Sequence, residues 1–222
     1  MACLAQRVDE GTLFAHQQAI GPDGVAVKPD FICLSKGLTG GVMPLSAVLT
    51  TDAVFQAFWD DRTVHGFLHS HSYTGNPLAC RAALAVLDTF AARDAQGRDV
   101  LARNREAAAH FHALTEPLRR HPRVKAHRHI GMVWAWDIDV RSDTTEPTFA
   151  QRCHRVALDA GLLLRPIGHT LYVMPPYVLS PDDQRFLADG LLTVLDAVLA
   201  EVDALPAHTA VPGAGAATAP MA

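Results

Sequence analysis

No basic stripe, no long apolar run and no paired-cysteine motif occurs in this chain, and each absence narrows what it can do. The net charge is -4 over 222 residues, and only three of those residues are lysine. Positive charge is too thinly spread to grip a phosphate backbone or an anionic membrane. The most basic stretch, Arg119 to Arg128, is broken by Pro122 and apolar residues and reads as a helix end and turn. Neither a nucleic-acid nor a membrane partner is expected. No apolar run approaches the ~20 residues that cross a bilayer. The N-terminus shows no charged stretch leading into an apolar one, so no signal peptide is expected.

Cysteine is sparse too. Cys3, Cys33, Cys80 and Cys153 lie far apart, with no CxxC or zinc spacing. They read as reduced packing residues of a soluble, cytoplasmic protein. Histidine is plentiful, and His65, His69 and His71 fall close together, as do His127 and His129. A metal site also needs second-shell partners, usually with a carboxylate or Cys nearby. These histidines therefore read as structural or solvent-facing, and no metal is expected.

What the chain does hold is core. It is 49% hydrophobic and 19% charged, enough to build one ordinary domain or two small ones. The short apolar runs 31–35 and 45–51 predict strands buried on both faces. Residues 51–61 predict a short amphipathic helix capped by Thr51. A longer helix starts at Asn76-Pro77, where the asparagine caps and the proline lacks an N–H that the first turn does not need. Its apolar stripe reads Leu78, Ala82, Val86, Phe90. A second long helix is expected from Gly97 to Leu118.

Beyond it, "RVKAHRH" and "GMVWAWDIDV" predict paired strands, and 146–161 a helix stopped by Gly161. Two short strands are expected around Gly168. A closing helix over 180–202 has Ser180 as cap, Pro181 next and two aspartates in its first turn. The expected organisation is α/β: residues 1–96 as part of a larger domain, 97–205 as a small α+β domain, and 206–222 as a disordered Ala/Gly/Pro/Thr-rich tail.

One residue stands apart. In "PDFICLSKGLTGG" Lys36 follows an apolar strand and precedes a run of glycines. Burial disfavours an ammonium ion, and the neutral amine attacks carbonyls to form an imine. The residues by themselves permit such a lysine, and they equally permit a plain surface lysine.

The segment resembles the lysine segment of the class III pyridoxal-phosphate-dependent aminotransferases, which have fold type I. Three further blocks resemble the family in the same order: "GGVMPLSAVLTT", "HSHSYTGNPLACRAALAVLD" and "LLLRPIGHTLYVMPPYVLS". The fold implied is the C-terminal part of the family's large mixed-sheet domain plus its small α+β domain. The cofactor implied is pyridoxal 5'-phosphate. Lys36 would carry it covalently and then move a proton between two carbons, which a long flexible amine can do. Ser72, in place of a usual threonine, would reach the cofactor phosphate of a neighbouring subunit, implying a homodimer. Arg165 would hold a substrate carboxylate through paired hydrogen bonds. Tyr172 and Gly41 would line the substrate pocket, and Asp9 would face the pyridine nitrogen.

The blocks resemble most the branch of the family that moves an amino group from S-adenosylmethionine to 8-amino-7-oxononanoate in biotin biosynthesis. Residues 9–14 lack a glycine-rich stretch found in the family, and 20–30 carry extra residues. The family's glycine-rich phosphate cradle has no counterpart here, so only the C-terminal portion of the family's length is expected. Two alternatives stay open: another class III ω-aminotransferase, and a non-catalytic remnant or interaction module.

Overall fold

A computed structural model describes residues 14–140 and 147–205. The expected tail, 206–222, and Asp9 lie outside the described residues. Strands β1 (Phe31–Leu34) and β2 (Ala47–Thr50) pair antiparallel, Phe31 opposite Thr50 and Leu34 opposite Ala47. Helix α1 (Asp52–Gln56) follows, capped by the Thr51 hydroxyl, which accepts from Val54 N. Helix α2 (Pro77–Ala91) begins where the Asn76 side chain accepts from Ala79 N at 3.0 Å.

The chain then forms α3 (Val100–Leu114), α4 (Glu116–Arg119), β3 (Val124–Ile130), β4 (Val133–Ile138), α5 (Phe149–Asp159), β5 (Thr170–Val173) and α6 (Pro181–Asp203). Strands β3, β4 and β5 form an antiparallel sheet in that order, with β3 at one edge. The β3–β4 turn is made by Gly131 at φ 55°, a left-handed conformation that costs glycine nothing.

The main core lies between this sheet and helices α3, α5 and α6. Alternation along β4 sends Trp134, Trp136 and Ile138 inward, where they meet Phe111, Phe149, Cys153, Leu191, Val194 and Val198. All residues of this cluster fall between 108 and 202. A second, smaller cluster joins Leu34, Leu38 and Ala83, with Phe14, Ile32, Leu45 and Ala47 packed against it.

Several expectations need correction. Strand β1 is not buried on both faces: Phe31 is 57% exposed, and Val48 on β2 is 63% exposed. One face of the ribbon, through Ile32 and Leu34, packs against Leu38 and Ala83, while the face with Phe31 and Cys33 is exposed. The helix expected over 51–61 is five residues long and buries none of them. The buried positions of α2 are Ala79 and Ala83, whereas Leu78 is 71% exposed. The small alanines let the chain around Leu38 approach the helix closely. The helix expected from Gly97 to Leu118 breaks at Thr115, because Pro117 cannot donate to Ala113 and its ring would clash with that carbonyl. Only one strand, β5, forms near Gly168; residues 162–166 belong to no strand.

Gly190 sits inside α6, where glycine is disfavoured by about 1 kcal/mol relative to alanine. Its reason is contact: a Cβ there would come within 2.5 Å of Leu162 Cδ1, a side chain that is itself buried. Gly190→Val is expected to cost about 1–3 kcal/mol by overpacking. A urea titration followed by tryptophan fluorescence checks this, and an unchanged midpoint would show that Leu162 simply moves aside.

Candidate active site

Lys36 lies where β1 ends and a single 3-10 turn, Lys36–Thr39, begins. Its side chain is exposed, and its backbone has φ +52°. Among the described residues it is the one non-glycine residue with positive φ. An L-residue in this region carries a steric cost of about 1–2 kcal/mol. Such strain persists only where the surroundings over-determine it, and it gathers at functional sites.

The surroundings do determine it. Ser35 Oγ donates to Leu45 O at 3.3 Å, and Leu38 N donates to Ser35 O at 3.2 Å. The Thr39 hydroxyl, nearly fully buried, donates to Met43 O. Leu38 is pressed against α2 through Ala83. Gly40 and Gly41, at φ 62° and 83°, then turn the chain back towards β2. Lys36 is thus set on a short loop pinned at both ends, with its amine at the surface. The expectation that it sits at the mouth of a doubly buried strand is corrected accordingly.

Ser72 is exposed in the loop that leads into α2. The loop is ordered by its own side chains: His71 N donates to Thr74 Oγ1 at 3.0 Å and Tyr73 N to His71 Nδ1 at 3.1 Å. Gly75, at φ 68°, delivers the chain to the cap at Asn76. A Cβ added at Gly41 or at Gly75 would meet nothing within 4 Å, so open room lies beside both turns.

Arg165 and Tyr172 line one open groove of about 440 Å³, with Leu162, Leu164, Val173, Met174 and Phe186 among its walls. The guanidinium is the groove's positive charge. Asp183 also lines it, but its carboxylate is engaged: hydrogen bonds from the Ser180 hydroxyl and then from Ser180 N hold its pKa below the usual range. Those donors are neutral and leave Asp183 anionic, so the groove carries one charge of each sign, and the exposed Arg165 guanidinium is the group in it that can take a carboxylate. Asp183 reads in the sequence only as a helix-start residue; its second role as a groove wall depends on α6 packing beside β5.

The groove brings Arg165 and Tyr172 together, while Lys36, Gly41 and Ser72 are not among its lining residues. A further charged cluster lies outside both places. Asp60 is held at about 2, chiefly by the Arg62 side chain, then by the Arg62 backbone, with His65 assisting. His65 Nδ1 lies 2.9 Å from Asp60 Oδ2.

Residues 9–195 match the family described as aminotransferase class-III. The chain is 37% identical over 191 residues to the adenosylmethionine-8-amino-7-oxononanoate aminotransferase of Helicobacter pylori, a span of 84% of this chain and 41% of that relative. It is 38% identical over 191 residues to the protein of the same name from Synechococcus elongatus, again covering 41% of it. The crystal structure of adenosylmethionine-8-amino-7-oxononanoate aminotransferase from Methanocaldococcus jannaschii superimposes with a TM-score of 0.65 and 32% identity, over 79% of this chain and 40% of that one. A PMP-bound form of an aminotransferase from Vibrio fluvialis also gives a TM-score of 0.65, at 26% identity, over 79% of this chain and 39% of that one. The chain thus spans about two fifths of the length of these relatives.

Proposed function

The chain belongs to the class-III aminotransferases, and from that premise we propose that it serves pyridoxal-phosphate-dependent transfer of an amino group from S-adenosylmethionine to 8-amino-7-oxononanoate. The product is 7,8-diaminononanoate, in biotin biosynthesis. The observation that carries the reading is Lys36, an exposed amine held on a strained backbone at the end of β1. The names of the relatives that match most of this chain support the substrates. The reading includes a homodimer in the cytoplasm; no described helix is long and apolar enough to cross a membrane.

Pyridoxal phosphate is the cofactor of this family, and the residues present suit it. Lys36 offers the amine, Ser72 a hydroxyl for the phosphate held by the neighbouring subunit, and Gly41 and Gly75 leave the adjoining space open. Asp9 is assigned to the pyridine nitrogen from the sequence. When bound, the cofactor supplies an electron sink for the pair released at the substrate carbon.

The chain's own residues do the rest. Lys36 would hold the cofactor through Nζ, and the same amine would take a proton from one carbon and return it to another. Arg165 grips the substrate carboxylate, fixing which end of the substrate reaches the lysine. Tyr172 and the leucine wall of the groove exclude water along the substrate's apolar stretch.

The test uses the fact that the chain has only three lysines. Incubation with pyridoxal phosphate, borohydride reduction and peptide mapping is expected to place the adduct on Lys36. Label spread over Lys28 and Lys125 as well, or no label, would overturn the assignment.

A second reading rests on the exposed apolar residues of the first part, including Phe31, Val48, Leu49 and Trp59. In it the chain is an interaction module whose residues 97–205 fold as a unit, consistent with a main core drawn only from 108–202. It predicts no cofactor adduct and a protease-resistant fragment near that span. Digestion that leaves no such fragment would count against it.

A further inference from the structure

Three imidazoles meet at the seam between α3 and the edge of the larger sheet. Alternation along β3 puts His127 and His129 on one face, opposite Trp136 and Trp134 of β4. His112 descends from α3 onto both: its ring stacks on His129 with centroids 5.1 Å apart and lies 5.4 Å from His127. Trp134 stacks flat on His129 at 4.7 Å and 11°, and Trp136 lies 5.9 Å from His127. Both indoles are fully buried. Their N–H groups and His127 Nε2 are buried without a hydrogen-bond partner.

The charges around His127 all have one sign. His112 faces it from α3, Arg119 from α4, and Arg128 and His129 from β3 itself; β4 contributes the neutral Trp136. Carboxylates near in sequence are engaged elsewhere, Asp137 with Arg128 and Thr170, and Glu116 with Arg120. Arg119 is tethered to the same seam, its Nη2 donating to His112 O at 3.2 Å. A proton arriving on His127 meets desolvation first and then repulsion from these basic neighbours. Among the described residues no three His, Cys, Asp or Glu side chains are placed to hold a metal ion, so the proton is the ligand this stack is built to answer.

We propose that the His112–His127–His129 stack is an acid-sensitive latch, which seals α3 and α4 onto β3 while His127 is neutral and releases that edge of the sheet when His127 is protonated. The direction follows from linkage. Burial first, then the basic neighbours, hold the His127 pKa below its ordinary value. The opened chain therefore binds more protons than the closed one. The seal is complete above the ordinary histidine pKa of about 6.5 and is lost as pH falls through the lowered value. Because β3 is an edge strand, its release need not unravel β4 and β5.

Hydrogen exchange on the full chain at pH 7.5 and pH 5.5, corrected for intrinsic rates, tests this. The expected result is a several-fold loss of protection at β3 and the C-terminal half of α3 on acidification, with α5 unchanged. In His127→Phe, a ring of similar size that cannot be protonated, the loss should vanish. The histidine ring signals of the wild-type chain give a reading that needs no variant: His127 should titrate below about 6.5. A titration midpoint at or above that value, an equal loss in His127→Phe, or a uniform loss that includes α5 would overturn the proposal.

Discussion

Lys36→Arg is expected to abolish the borohydride-trapped pyridoxal phosphate adduct while leaving the fold intact. The arginine keeps the positive charge and nearly the length, so any purely electrostatic hold on the cofactor phosphate would survive it. It cannot give a free amine, because a guanidinium stays protonated across the accessible pH range. Covalent capture and charge attraction are therefore separated by one substitution. Lys36 is exposed and sits on a loop that Ser35, Leu38 and Thr39 hold in place. The change in stability should stay within about 0.5 kcal/mol, as for surface sites generally. Absorbance of the cofactor-loaded chain, with mass spectrometry after reduction, reads the first effect, and a thermal melt reads the second. A trapped adduct of undiminished yield in the variant would remove Lys36 from the chemistry.

The largest expected loss of stability lies in the sheet, at Trp134→Ala. The side chain is fully buried, meets Phe111 edge-on with ring centroids 4.7 Å apart, and stacks on His129. Truncating a buried tryptophan to alanine costs about 3–5 kcal/mol, because the lost transfer free energy is compounded by the cavity left behind. Domains of this kind are stable by only about 5–15 kcal/mol, so the variant should melt far below the parent or fail to fold. Leu78→Ala is the control: the same class of truncation at a side chain 71% exposed should shift stability by no more than about 0.5 kcal/mol. Denaturant titrations followed by far-UV circular dichroism compare the two. A cost below about 1 kcal/mol for Trp134→Ala would mean that the β4 face is not the centre of the core.

How much was legible beforehand depended on whether the signal was local. The cap at Asn76, the Ser180–Pro181 start of α6 and the Gly161 stop of α5 appear where the sequence places them. Each is a matter of one backbone group and its nearest side chain. The strands expected over "RVKAHRH" and "GMVWAWDIDV" do pair, while the burial of Trp134 and Trp136 came only with the structure. Apart from the break at Thr115, which Pro117 sets locally, the failures were questions of what lies alongside. The apolar run of β1 reads as doubly buried, yet the structure covers only the face of Ile32 and Leu34 and leaves Phe31 exposed. Of the stripe expected on α2, Ala82, Val86 and Phe90 are half-buried but Leu78 is exposed, and the fully buried positions are Ala79 and Ala83, the latter against Leu38. The histidines at 127 and 129 could be put on one face of a strand, but nothing local revealed that His112 would come down on them.

By itself the sequence determined the element types, the capping chemistry, the resemblance to class-III aminotransferases and the candidate residues Lys36, Ser72, Arg165 and Tyr172. These follow from short-range sterics, hydrogen bonding and ordered motifs, which the chain carries in its own order. Only the tertiary structure decided that Lys36 stands on a left-handed backbone, that Arg165 and Tyr172 share a groove with Asp183, and that three imidazoles close against two indoles. Those facts depend on which surfaces meet across long sequence separations, and burial, strain and charge acquire their values only when they do.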